Sequence, residues 1–194
     1  DVAGGAAGSG GINIDSSAGS VTLRTSSLFS EGAVNVAAGG AVSLLNGAGI
    51  ATTTGNGSVS VTSRASTVTL GNAGIRADGD AANISLTSQG NLSVNGDIQT
   101  RSGAIDLRST QGTVTVLAST TGTDAAQNAT LDAGAHTTRS IITVRGAGNV
   151  EVGELIAYNR VQLTSDTGNV TLKRGLGGNA SGTFGGNPVL LNTG

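Results

Sequence analysis

The chain has 194 residues, 33 of them glycine, with one proline, no cysteine, methionine or tryptophan, and only Phe29, Tyr158 and Phe184 as aromatics. An ordinary globular core draws on large side chains, which bury the most area per residue, so something other than a bulky centre organises this sequence; the lack of cysteine excludes disulfides and thiolate metal sites. Ten Lys and Arg against twelve Asp and Glu give a formal charge of −2 without a basic cluster, which excludes a phosphate-binding footprint, and the abundance of small β-branched residues argues against disorder.

The opening residues, 1–5, lack the charged and apolar regions of a signal peptide, and no apolar run is long enough to span a bilayer. From Ile12 onward, aliphatic residues come in pairs separated by one residue, the period of a half-buried strand. In chain order the pairs are Ile12/Ile14 and Val21/Leu23, Val34/Val36 and Val42/Leu44, Val59/Val61 and Val68/Leu70, Ile84/Leu86 and Leu92/Val94. They continue with Ile105/Leu107 and Val114/Val116, Ile142/Val144 and Val150/Val152, and Val161/Leu163 and Val170/Leu172.

Within a couple the two pairs are joined by five or six residues, as in 37–41 and 15–20. Most of these connectors carry a glycine just before the second strand (Gly19, Gly40, Gly90, Gly112, Gly148, Gly168), where positive φ is expected at a tight corner. Between couples the spacing varies, with 10, 14, 13, 10, 25 and 8 residues. Single aliphatics in these stretches, Leu28, Ile50, Ile75, Ile98 and Ile156, mark a short third strand. A leucine-rich repeat of similar period would need several Leu and a helical segment per turn; glycine and β-branched residues disfavour that helix.

The pattern therefore predicts an all-β fold, a parallel β-helix of seven to eight rungs with three short strands per rung, built as one segment over 1–194. Val189/Leu191 stand as the eighth first strand. Seven rungs at strand spacing make a rod of roughly 34 Å. No charged capping helix is legible at either end, so the expectation is a piece of a longer solenoid. The longest excursion, 117–141, is read as leaving one corner. Its Thr120, Thr121, Asp124, Gln127, Asn128, Asp132, His136 and Arg139 form the candidate binding loop, because long connections without structure of their own often carry function.

Residues 82–116, ANISLTSQGNLSVNGDIQTRSGAIDLRSTQGTVTV, resemble the repeats of filamentous haemagglutinin and related large exoproteins of the two-partner secretion pathway. The likeness is one of composition and period and runs from about Ile12 to Leu172. It implies a right-handed β-helix with loops leaving its corners, export through an outer-membrane partner, and work in host attachment, biofilm cohesion or delivery of a toxic tip. The family's amino-terminal secretion domain, with its Asn-Pro motifs, has no counterpart; Asn187-Pro188 lies near the other end.

Parallel β-helices also carry polysaccharide-cleaving enzymes of the pectate-lyase kind, which need clustered carboxylates with a basic partner or Ca²⁺. The nearest group is Arg76, Asp78 and Asp80, and turn chemistry explains Asp-Gly-Asp equally well. Asp106 and Glu151, each between two inward aliphatics, are read as solvent-facing charges. His136 is the only histidine, so no multi-histidine metal site arises, and no cofactor is expected. The outward row Thr22, Ser43, Thr69, Ser93, Thr115, Glu151 and Thr171 admits an ice-binding reading, but its flanking positions are irregular and a hydroxyl ladder explains it. Sequons at Asn83, Asn91, Asn128, Asn169 and Asn179 arise readily in so polar a chain.

The expected function is a non-catalytic adhesin shaft at the bacterial surface. Its expected partners are a host-cell or matrix receptor, a glycan or sister molecules, with no nucleic acid and no membrane span.

Overall fold

A computed structural model describes residues 10–53, 57–72, 74–117, 129–134 and 140–177. Among them stand nineteen strands and no helix. The first rung holds β1 (Ile12–Ser16), β2 (Val21–Arg24) and β3 (Leu28–Ser30); the second holds β4 (Val34–Ala38), β5 (Val42–Leu45) and β6 (Ile50–Thr52). The third is β7 (Val59–Ser63), β8 (Val68–Leu70) and β9 (Ile75–Ala77); the fourth is β10 (Ile84–Ser88), β11 (Leu92–Val94) and β12 (Ile98–Thr100). The fifth is β13 (Ala104–Ser109), β14 (Val114–Val116) and β15 (Thr130–Asp132). Thereafter β16 (Ile141–Gly146) and β18 (Arg160–Ser165) take the first position, while β17 (Val150–Ile156) and β19 (Val170–Gly177) each run unbroken through the second and third.

Each strand pairs in parallel with its equivalent one rung away. The first column stacks seven strands, β1-β4-β7-β10-β13-β16-β18, so the chain winds about six times between the first and last of them. The fold is a β-solenoid. The expected rung count was slightly high, and the proposed eighth strand at Val189/Leu191 lies outside the described residues.

Alternation fixes which side chains enter the stack. Ile12, Val34, Val59, Ile84, Ile105, Ile142 and Val161 are direct register partners, as are Val21, Val42, Val68, Leu92, Val114, Val150 and Val170. A rung such as the second contributes Val34, Val36, Val42, Leu44 and Ile50, all buried. Burial of each gives about 1.5–3 kcal/mol, less in total than the about 1–2 kcal/mol per residue needed to order the rung's backbone. Neighbouring rungs must therefore supply pairing and burial together. At the outer described rungs, with a stacked neighbour on one side only, Ile14, Leu23, Val161, Leu163, Val170 and Leu172 are only partly buried.

The third column corrects the sequence reading twice. Residues 117–141 are not wholly outside the stack: Leu131 of β15 pairs with Ile98 below and Leu155 above, and Ala129, Leu131 and Ala133 are buried. In the next rung the inward residue is Leu155, not Ile156. A register shift between Val152 and Glu154, around buried Gly153, moves the alternation by one position. A bulge of this kind turns a corner without ending the strand. The variable lengths also divide between two corners. From the second strand's last inward aliphatic to the third strand's first lie 4, 5, 4, 3, 14 and 2 residues, and from there to the next rung 5, 8, 8, 6, 10 and 5.

The first corner is held by inward hydroxyls, buried at Ser63 and Ser109 and half-buried at Ser165. Ser63 donates to the Gly40 carbonyl at 2.8 Å and accepts from the Ser66 amide at 3.1 Å. Ser109 donates to Gly90 at 2.7 Å and accepts from Gly112 at 2.9 Å, and Ser165 repeats the arrangement with Gly148 and Gly168. Each satisfies backbone groups that the turn takes out of the ladder. The connector glycines do not have the positive φ expected of them; among the described residues that conformation falls at Gly47, Gly74, Gly134, Thr25 and Asn46. At Gly112 and Gly168 the reason is close stacking: a Cβ on Gly112 would lie 2.7 Å from the Asn91 nitrogen one rung below, and one on Gly168 would lie 2.8 Å from that of Asn149. Those asparagines in turn accept from the amides of Thr113 and Asn169 at 3.0 and 2.9 Å.

Candidate functional site

Three sheet faces look outward, and their chemistry differs. On the second-strand face Thr22, Ser43, Thr69, Ser93, Thr115, Glu151 and Thr171 are stacked in register, the hydroxyl row interrupted once by Glu151. Glu151 is half-buried and paired with Lys173 at 2.9 Å. On the first-strand face Asp15 and Arg64 form a two-pronged ion pair, 2.8 and 2.9 Å, reaching past the second rung where Ala37 leaves room. That hydrogen bonding and the guanidinium charge hold the Asp15 carboxyl below its ordinary value against a smaller opposing effect of desolvation. Asp106 is exposed at its tip, as expected. Neighbours crowd its flanks, and desolvation raises its pKa while Arg108 pulls the other way.

The third-strand face is the varied one. Each strand there presents one central outward residue, and register stacks Phe29, Ala51, Arg76, Gln99 and Asp132 in a row along the axis. Phe29 is 59 % exposed. Two hollows lie on this face and share Arg76 and Gln99: one is floored by Ile50, Ala51 and Ile75 beside Phe29, the other flanked by Asp78, Arg101 and Asp132. Arg76 is tied to Asp78 at 2.6 Å and Arg101 reaches Asp80 at 3.7 Å. Gln99 donates from its amide to Asp132 at 3.2 Å, and Asp132 accepts from the Gly134 amide at 2.8 Å. Asp97 accepts from the Thr130 amide at 2.9 Å, pinning the start of β15. Pairs this exposed contribute about 0–1 kcal/mol each, so they shape the groove rather than hold the fold.

Of the candidate binding loop, Asp132 is thus a half-buried strand residue bordering this groove. Thr120, Thr121, Asp124, Gln127, Asn128, His136 and Arg139 lie outside the described residues. The enzyme-like group is divided: Arg76 and Asp78 face each other while Asp80 turns to Arg101. Among the described residues no three His, Asp or Glu side chains come close enough to hold a metal ion, and no helix is long and apolar enough to cross a membrane. The groove is not legible from the outward residues of the first two strands, because its chemistry lies on the third. The residue after each third-strand aliphatic, Phe29 after Leu28 or Arg76 after Ile75, carried the signal.

No known protein family, no curated protein and no solved structure matches the chain.

Proposed function

We propose that the chain is a right-handed, non-catalytic β-helical shaft of a secreted bacterial surface adhesin, making or spacing attachments between cells and surfaces or between cells. The observation that carries this reading is the continuity of the stack. The first column keeps register over all seven strands, and among the described residues every inward position is aliphatic or a small residue, several of them hydrogen-bonded hydroxyls. Such a repeat gives length and stiffness with contacts only between neighbours. Right-handed winding is the hand that nearly all parallel crossovers take.

The likeness of residues 82–116 to filamentous haemagglutinin repeats supports export through an outer-membrane partner and a role in host attachment or biofilm cohesion. The partners in view are a host-cell or matrix receptor, a glycan, or sister molecules. The separation of Asp80 from the Arg76–Asp78 pair favours the non-catalytic reading, because acid–base cleavage needs convergent groups.

Beads coated with the full chain are expected to adhere to epithelial cells or to one another, and to release no product from polygalacturonate. Beads no more adhesive than albumin-coated ones, or turnover abolished by replacing Asp78 and Asp80, would overturn the reading.

A further inference from the structure

The third-strand face departs from the repeat in a way the fold does not require. Outward positions on a solenoid strand need only a residue that tolerates the pleat and water, and the second-strand face meets that need with Ser and Thr at all but one of its seven positions. At the equivalent positions the third face places an aromatic ring, a methyl, a guanidinium, a carboxamide and a carboxylate in succession. Keeping the Phe29 ring 59 % exposed forgoes burial that an aromatic ordinarily gains. Ala51 beside it opens the floor of the first hollow, and the shared Arg76 and Gln99 join that hollow to the second. The result is one groove along the axis across the first five rungs.

We propose that this groove binds an extended, uncharged glycan lying along the rod, with one sugar ring stacked on Phe29 and the hydroxyls of the following rings on Arg76, Gln99 and Asp132. Successive rungs are about 4.8 Å apart, a step close to the advance of one pyranose ring, so each rung meets its own sugar. Guanidinium, carboxamide and carboxylate groups are planar and offer paired donors or acceptors, which suits neighbouring hydroxyls on a ring. The Gln99 side-chain amide already donates to Asp132, so two of the groups that meet the sugar hydroxyls hold each other in place.

Charge decides the class of sugar. The groove is lined by two cations, Arg76 and Arg101, and three anions, Asp78, Asp97 and Asp132. A uronate or sulfated chain would meet net like charge, and an uncharged chain would not. An extended peptide adds to the edge of a sheet through its backbone, whereas this groove is a sheet face whose backbone groups are already paired. The site deepens the attachment reading and rests on it only for its biological use.

The test is a titration of the full chain with cellohexaose and with mannohexaose, with a galacturonate oligomer as the anionic control, followed by calorimetry and by chemical-shift changes. Saturable binding of a neutral oligosaccharide in the millimolar range or tighter is expected. Phe29→Ala should weaken it about tenfold, the effect of one lost aromatic contact, and Gln99→Ala should weaken it as well. Ser43→Ala on the second face should leave it unchanged, and the melting of all three variants reports whether they are folded. Failure to bind either neutral oligosaccharide, preference for the galacturonate, or binding indifferent to Phe29→Ala in a folded protein would overturn the groove. A chain that glues beads to cells yet binds neither sugar overturns the groove alone, and one that binds a sugar without adhering overturns the adhesin reading alone.

Discussion

At the scale of single residues, neighbours in sequence have opposite fates because a strand alternates faces. Leu107 is fully buried, and Asp106 beside it points out between Ser85 and Thr143 of the adjacent rungs. Leu107→Asp places a carboxylate in an apolar stack with no cation to meet it, a loss of about 4 kcal/mol or more against a total stability of about 5–15 kcal/mol. Urea titration should show a midpoint far below the parent's, with the cooperative transition lost altogether where the parent's stability is near the lower end of that range. Asp106→Ser should melt as the parent does or slightly later at neutral pH. Its folded pKa is raised above the ordinary 3.8 by desolvation, so the folded state holds that proton more tightly. The cost of ionising it is absent below 3.8, appears as pH rises through the raised value, and persists at neutrality. The advantage of the serine variant should grow with pH across that window and vanish in acid. A pH-independent difference would mean the carboxylate is not crowded. Asp15 has the opposite sign: its carboxyl is held low by Arg64, so its contribution is lost as pH falls through that lowered value.

At the scale of elements, the long stretch after β14 shows how much of the fold the sequence made legible and where it stopped. Paired aliphatics at period two placed both main columns and their register correctly, because a one-residue slip would turn every inward side chain outward. The third column was harder to read. Its strands offer one large aliphatic each, and Leu131 was hidden among Thr, Asp and Asn that look like loop. Leu155 was displaced by a bulge that leaves no mark beyond Gly153. The groove was within reach of the same alternation rule. Its chemistry depends on which rungs align, and that needed the third-strand register. Two deletions separate loop from rung. Removing 118–126 leaves five residues between Val116 and Leu131, the number found between Leu44 and Ile50, and should preserve the β-sheet circular dichroism and the sharpness of melting. Replacing 118–140 by a six-residue Gly-Ser link, which with residues 117 and 141 restores the eight residues found between Val152 and Val161, also takes β15, with Leu131 and the amide that Asp97 pins. It should lower the melting temperature and broaden the transition, since Ile98 and Leu155 then lose the side chain between them. Equal melting of the two deletions would show that β15 contributes nothing to the stack.

At the scale of the whole molecule, a solenoid has no single centre, and the contribution of a side chain depends on how many rungs enclose it. Leu86 and Leu163 belong to the same inward column, with identical chemistry and three strands apart in stacking order. Leu86 is fully enclosed by Val61 below and Leu107 above, whereas Leu163, in the last described rung of that column, is only partly buried. Leu86→Ala opens a cavity that rungs on both sides cannot close without breaking their own ladders, so it should cost about 3–5 kcal/mol, the upper part of the range for buried leucine. Leu163→Ala removes a side chain that water already reaches and should cost clearly less, about 1–2 kcal/mol in proportion to the smaller area lost. Chemical denaturation of the two variants measures both. If the stack unfolds as one unit, the slope with denaturant stays that of the parent and only the midpoint moves. A shallower slope for Leu86→Ala would mean that a defect in the middle divides the rod into halves that melt separately. Equal costs at the two positions would mean that Leu163 is covered as completely as Leu86, against the exposure seen at the last rung.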